Sequence, residues 1–163
     1  MKKHLITLIA VVIAGLAGYL LWDDTLPAPN FNFTTLTGQR QSLAALQGHV
    51  VLVNFWATSC SGCVEEMPQI REMYRQYAKD GFEVVAVAMS YDAPNYVKAF
   101  TEQYKLPFMV TLDTQGGIAE AFGGIQLTPT SYLIDKQGKI VKRYVGVMDF
   151  QEIKKLIGKS TQG

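Results

Sequence analysis

The chain has 163 residues, 48% hydrophobic and 18% charged, which suits one globular domain with a sizeable core and excludes a disordered or collagen-like chain. Lys and Arg number 15 against 14 Asp and Glu; setting aside Lys2 and Lys3, which precede an apolar stretch, leaves 13 against 14. With the basic residues scattered rather than clustered, the charge pattern excludes a nucleic-acid partner.

Met1-Lys2-Lys3-His4 leads into an unbroken apolar run from Leu5 to Trp22, which ends at Asp23 and Asp24. Positive charge before the run and negative charge after it predict an N-terminal signal-anchor over residues 1–22, with everything beyond carried across the membrane. The run is close to the lower limit of the roughly 17–25 residues that span a bilayer. A cleaved signal peptide, with Gly15 and Ala17 as processing signal, is the competing reading. The anchor is preferred because cleavage would leave Gly18 to Trp22 as a sticky apolar terminus, whereas Tyr19 and Trp22 suit a membrane interface. Residues 23–29, rich in Pro and Asp, read as a linker, and residues 30–163 as the folded domain.

Within the domain, alternating residues from Asn30 to Thr34 and a turn at Leu36 to Gln39 predict a small β-hairpin. Ser42 is placed to cap a short helical turn that Gly48 ends. Val50 to Phe55 is nearly continuous in β-branched and apolar residues, as a strand buried on both faces requires. Val64, Met67, Ile70, Met73, Tyr74 and Tyr77 then recur at steps of three and four, predicting an amphipathic helix from Ser61 to about Lys79 with Pro68 inside it. Further strands are expected at Glu83 to Ala88, Phe108 to Leu112, Ser131 to Ile134 and Lys139 to Val145. Between and after them come helices at Pro94 to Tyr104, opened by Asp92, at Ile118 to Phe122, and at Asp149 to about Ile157. The order is that of an α/β layered sheet ending in an antiparallel hairpin and a helix.

The two cysteines of the chain stand as Cys60-Ser61-Gly62-Cys63, between a buried strand and the start of a helix. Unsatisfied N–H groups and the positive end of the helix dipole favour a thiolate at Cys60, and Cys63, one turn on, is placed to resolve a mixed disulfide. Three other uses compete with this one. A structural staple is poorly served by the spacing, since closing a loop of about four residues stabilises by only about 2 kcal/mol, against about 4.7 for a hundred. Structural zinc commonly takes four ligands, and His4 and His49 are the only histidines. Transient copper handling by the two sulfurs stays open.

The segment from Val53 to Pro68, Val-Asn-Phe-Trp-Ala-Thr-Ser-Cys-Ser-Gly-Cys-Val-Glu-Glu-Met-Pro, resembles the active-site segment of the thioredoxin superfamily. A second block, Gly124 to Asp135 with Thr128-Pro129-Thr130, resembles the proline loop of the same superfamily, and the similarity is greatest to its exported TlpA-like and ResA-like branch. The resemblance implies a thioredoxin-like α/β fold: a central mixed β-sheet flanked by helices, with an N-terminal β-hairpin and an inserted βα unit over Val84 to Tyr104. It implies catalytic roles for Cys60, Cys63 and Glu66, with Glu66 taking the proton of Cys63, and substrate contacts at Trp56, Thr128 and Pro129, the last in the cis form. Asn54 stands where thioredoxin has a buried aspartate, which shifts the base duty to Glu66.

The implied activity is thiol-disulfide exchange, as a reductase of disulfides in exported proteins such as apocytochrome c or copper-centre proteins. It needs no cofactor beyond the Cys60–Cys63 disulfide and no metal. The expected partners are those exported proteins, a membrane thiol electron donor and the inner membrane, with the chain itself a monomer. The expected location is the bacterial cell envelope, anchored in the inner membrane with the domain on the periplasmic or extracytoplasmic side. Ser61-Gly62 offers no histidine or arginine to stabilise the thiolate, which favours a reductant over a strong oxidant. A copper-binding chaperone is the alternative from another class. A thiol peroxidase is a third, weakened because Ala57 stands where those enzymes want a threonine.

Overall fold

The computed structural model describes residues 26–162. The predicted signal-anchor and the first part of the linker lie outside the described residues. Among the described residues, seven strands and four α-helices follow one another as β1 (Asn32–Thr34), β2 (Arg40–Ser42), β3 (Val50–Trp56), α1 (Ser61–Tyr77), β4 (Phe82–Ala88), α2 (Pro94–Tyr104), β5 (Met109–Leu112), α3 (Gly117–Ala121), β6 (Thr130–Ile134), β7 (Ile140–Val145) and α4 (Phe150–Gln162). Five of the strands form one mixed sheet in the order β5-β4-β3-β6-β7. Strands β3, β4 and β5 are parallel, while β6 runs antiparallel to both β3 and β7. The hairpin β1-β2 forms a separate antiparallel pair. This is the thioredoxin-like fold expected above, and β4 with α2 supplies the strand–helix unit expected before Phe108.

Every residue of β3 is buried, because helices and the hairpin cover the sheet on its two faces. Strand alternation then sorts its side chains. Val50, Leu52 and Trp56 join Met67, Ile70, Val97, Phe100, Ile153 and Ile157, the inward faces of α1, α2 and α4. Val51, Val53 and Phe55 join Phe31 and Phe33 of the hairpin region and Ile118 and Phe122 around α3. Asn54, by the same alternation, is directed to the α1 side. This one polar residue in the central strand meets α1 where the carboxylate of Glu66 lies.

Several local devices match the sequence. Ser42 Oγ accepts from the Ala45 N–H at 3.1 Å, holding the short 3-10 turn Ala44–Leu46. Gly81, at φ 84°, takes the left-handed conformation that turns the chain from α1 into β4. Asp149 Oδ1 accepts from the N–H groups of Gln151 and Glu152 at the start of α4. One expectation is corrected. Asp92 does not cap α2: the N-cap position belongs to Ala93, without a side-chain bond, and the Asp92 carboxylate is spent elsewhere.

Candidate active site

Strand β3 ends at Trp56, and a turn closed by the Cys60 N–H donating to the Ala57 carbonyl at 3.2 Å delivers Cys60 to the N-cap of α1. Cys60 is extended there (φ −92°, ψ 109°), and its Sγ accepts from the backbone N–H of Cys63 at 3.2 Å. The sulfur thus sits where a side-chain oxygen caps an ordinary helix, and the N–H of Cys63, able to stabilise a thiolate, already donates to it. Cys60 and Cys63 are joined in a disulfide with their Cα atoms 5.3 Å apart. Cys60 is half-buried and Cys63 fully buried, so only the first presents sulfur to an incoming partner.

Pro129 lies against this loop. A Cβ built on Gly62 would stand 3.6 Å from Pro129 Cδ and 3.2 Å from Val147 Cγ2, so the cysteine loop and the proline loop are in close approach at Gly62. The Thr128–Pro129 bond is cis, as the resemblance implies. Thr128 is half-buried, and neither its N–H nor its C=O takes part in a backbone hydrogen bond among the described residues. Val147, 53% exposed and close to Gly62, leaves apolar surface beside the cysteine loop, and Leu127, two residues before cis Pro129, is 65% exposed.

Beneath Cys63, Glu66 is fully buried on the same face of α1, three residues on. Its Oε1 accepts from Asn54 Nδ2 at 2.8 Å, and Asn54 Nδ2 also donates to Ser131 Oγ at 2.9 Å. Among the described residues no donor stands within good hydrogen-bond geometry of Glu66 Oε2 or Asn54 Oδ1. Burial pushes the Glu66 carboxyl up to about 7, opposed by the Asn54 hydrogen bond and more weakly by the Met148 backbone. A carboxylate poised there can accept or hold one proton near neutral pH.

For Trp56, expected above to contact substrate, the structure shows burial. Its ring is fully buried and packs on Phe100 at 5.0 Å, in the same core cluster as Cys63, so it supports the site from below and offers no surface to a substrate. Its place at the end of a strand buried on both faces is the reason. Sequence reasoning passed over Ser131, for which no local signal exists, and misassigned Asp92, whose position just before Ala93-Pro94 mimics a helix cap.

The redoxin family profile matches residues 24–157. The chain belongs to the redoxin family. This redoxin is 33% identical over 174 residues to the thiol-disulfide oxidoreductase ResA of Bacillus cereus (strain ATCC 10987 / NRS 248), covering 99% of each chain. It is 32% identical to the thioredoxin-like protein YneN of Bacillus subtilis, over 94% of this chain and 95% of that one. Among solved structures, a putative thioredoxin from Neisseria meningitidis superposes with a TM-score of 0.77 at 42% identity, over 83% of this redoxin and 90% of that chain. A putative thiol:disulfide interchange protein DsbE from Chlorobium tepidum gives 0.78 at 30% identity, over 85% and 98%. With the cysteine pair bonded at a helix start, this redoxin is a ResA-like thiol-disulfide oxidoreductase.

Proposed function

We propose that this redoxin acts as a monomeric reductase of disulfides in exported proteins, held by residues 1–22 in the bacterial inner membrane with its domain on the extracytoplasmic side. The apolar run between Lys3 and Asp23 supports the anchor and its orientation. Among the described residues no helix is long and apolar enough to cross a membrane. Apocytochrome c and copper-centre proteins are the substrates we assign, on the resemblance to the exported branch.

The observation that carries the reading is the unequal burial of the two sulfurs, with a fully buried Glu66 three residues beyond the inner one on the same helix. The Cys60 thiolate attacks a substrate disulfide; a bond forms from Cys60 Sγ to one substrate sulfur, and the other leaves as a thiolate that takes a proton from water. Cys63 then gives its proton to the Glu66 carboxylate and attacks Cys60 Sγ. The intrachain disulfide forms, the second substrate sulfur is released, and two electrons have passed to the substrate. A membrane thiol donor must restore the dithiol. Meanwhile the N–H and C=O of Thr128, which make no backbone bond among the described residues, lie beside cis Pro129 and can pair with an extended substrate segment.

Two features support the reductive direction we assign. Ser61 and Gly62 provide no cation to hold the thiolate, and the carboxylate of Glu66, three residues beyond Cys63 on the same helix, adds no positive charge either. The peroxidase alternative is weakened further, because the hydroxyl of Thr58, the nearest threonine before Cys60, is engaged by Asp92. Cys63→Ser should accumulate mixed disulfides with exported proteins in cells, identifiable by mass spectrometry. Redox equilibration of the wild type with glutathione should place the pair among reductants. A potential near that of strong oxidants, or stoichiometric copper binding without disulfide reduction, would overturn the assignment.

A further inference from the structure

The loop between β4 and α2 reaches both halves of the active site through two adjacent residues. Asp92 is buried, at 8% exposure, and both its oxygens are bonded to a single residue: Oδ2 accepts from the Thr58 N–H and Oδ1 from Thr58 Oγ1, each at 2.6 Å. A buried carboxylate needs such partners. The ordinary alternative use, capping the helix that begins two residues later, is not taken up, since α2 starts from Ala93 with no side-chain bond. Thr58 is the second residue of the turn Ala57 to Cys60, so fixing its N–H and its hydroxyl together fixes the path by which Cys60 reaches the N-cap of α1. Next to it, Tyr91 is 62% exposed and its hydroxyl lies 3.2 Å from Thr128 Oγ1, on the residue that precedes cis Pro129. A large aromatic side chain, wet on one side and tied at its tip, is a good contact for a peptide but has nothing to offer a small disulfide.

We propose that Tyr91-Asp92 is a bracket across the active site, in which Asp92 positions Cys60 through Thr58 while Tyr91, through Thr128, selects protein substrates. The inference concerns the exchange at Cys60 and is independent of the direction in which electrons flow. Loss of the Asp92 bonds frees the turn to wander, and a displacement on the order of 1 Å at a reacting atom can slow a reaction about a hundredfold. Every substrate should then react more slowly. Loss of the Tyr91 ring should matter only where a polypeptide lies along the Thr128 loop.

The test compares exchange with a small aliphatic disulfide and with insulin, using the full chain. Asp92→Ala should slow both substrates at least tenfold. Asp92→Asn should stay within about threefold of wild type, because an amide can accept from the Thr58 N–H and donate to Thr58 Oγ1. Thr58→Ala should also slow both, and the Asp92→Ala/Thr58→Ala double variant should be no slower than Asp92→Ala alone. Tyr91→Ala should raise KM for insulin at least fivefold and leave the small disulfide within twofold. If Asp92→Ala does not fold, Thr58→Val and Asp92→Asn carry the first arm, with at least a threefold loss expected from the former. The bracket is overturned by wild-type rates in Asp92→Ala, by Asp92→Asn being as slow as Asp92→Ala, by additive losses in the double variant, or by Tyr91→Ala affecting both substrates alike.

Discussion

At the scale of single residues, Glu66 couples the chemistry to stability. Below about pH 4.5 its carboxyl is protonated in both the folded and the unfolded chain, so it favours neither. Between 4.5 and about 7 the unfolded chain ionises while the folded protein still holds the proton, and folding stability is lost as the pH rises. The shift from 4.5 to about 7 corresponds to about 3 kcal/mol, complete above the folded value. Urea unfolding of the oxidised protein should therefore show a loss of that order between pH 4.5 and 8 which Glu66→Gln abolishes, leaving the variant the more stable at pH 8. Identical pH slopes in the two proteins would deny Glu66 its raised proton affinity. In stopped-flow exchange, Glu66→Gln should slow resolution by Cys63 more than the first attack by Cys60, because Gln cannot take the thiol proton. Asn54 strengthens the case: an amide cannot act as base, yet it donates to both Glu66 and Ser131 and so fixes where the carboxylate stands.

Among the elements, α4 shows how a sequence signal and a tertiary contact share the work. Asp149 was readable as its cap, and two N–H groups on Asp149 Oδ1 bear this out. Asp149→Ala should cost about 1 kcal/mol, measurable as a lower urea midpoint, with no change in exchange rate. The helix nevertheless runs on past Ile157, where the apolar period ends, to Gln162. Thr161 Oγ1 bonds back to the Ile157 carbonyl, and Lys136 Nζ, from the β6-β7 turn, donates to the Thr161 carbonyl at 2.9 Å. The sheet edges are managed in the same way. The chain after β1 covers β5 through the Leu36 N–H on the Val110 carbonyl, and the segment at Leu26 accepts from the Ile140 N–H beside β7.

For the molecule as a whole, the sheet separates two apolar layers, and β3 belongs to both. Phe55 makes edge contacts with Phe122 at 5.2 Å and Tyr132 at 6.2 Å in the layer away from the active site. Phe55→Ala should cost about 3–5 kcal/mol by chemical denaturation, since the surrounding rings can only partly collapse into the space. Composition, periodicity and the Cys60–Cys63 spacing were enough to determine the order of strands and helices, the layered α/β class and the location of the cysteine pair at a helix start, and the resemblance of two segments supplied the thioredoxin-like form. Those signals are local, repeating every two or every three to four residues, and they survive in a one-dimensional string. The tertiary structure decided what lies under and beside the sulfurs: the ring of Trp56 turned into the core, the chain of bonds from Glu66 through Asn54 to Ser131, and the Asp92 carboxylate diverted from α2 to Thr58. Asn54 and Ser131 are 77 residues apart and Thr58 and Asp92 34, and no periodicity records which distant polar groups must satisfy one another once both are buried.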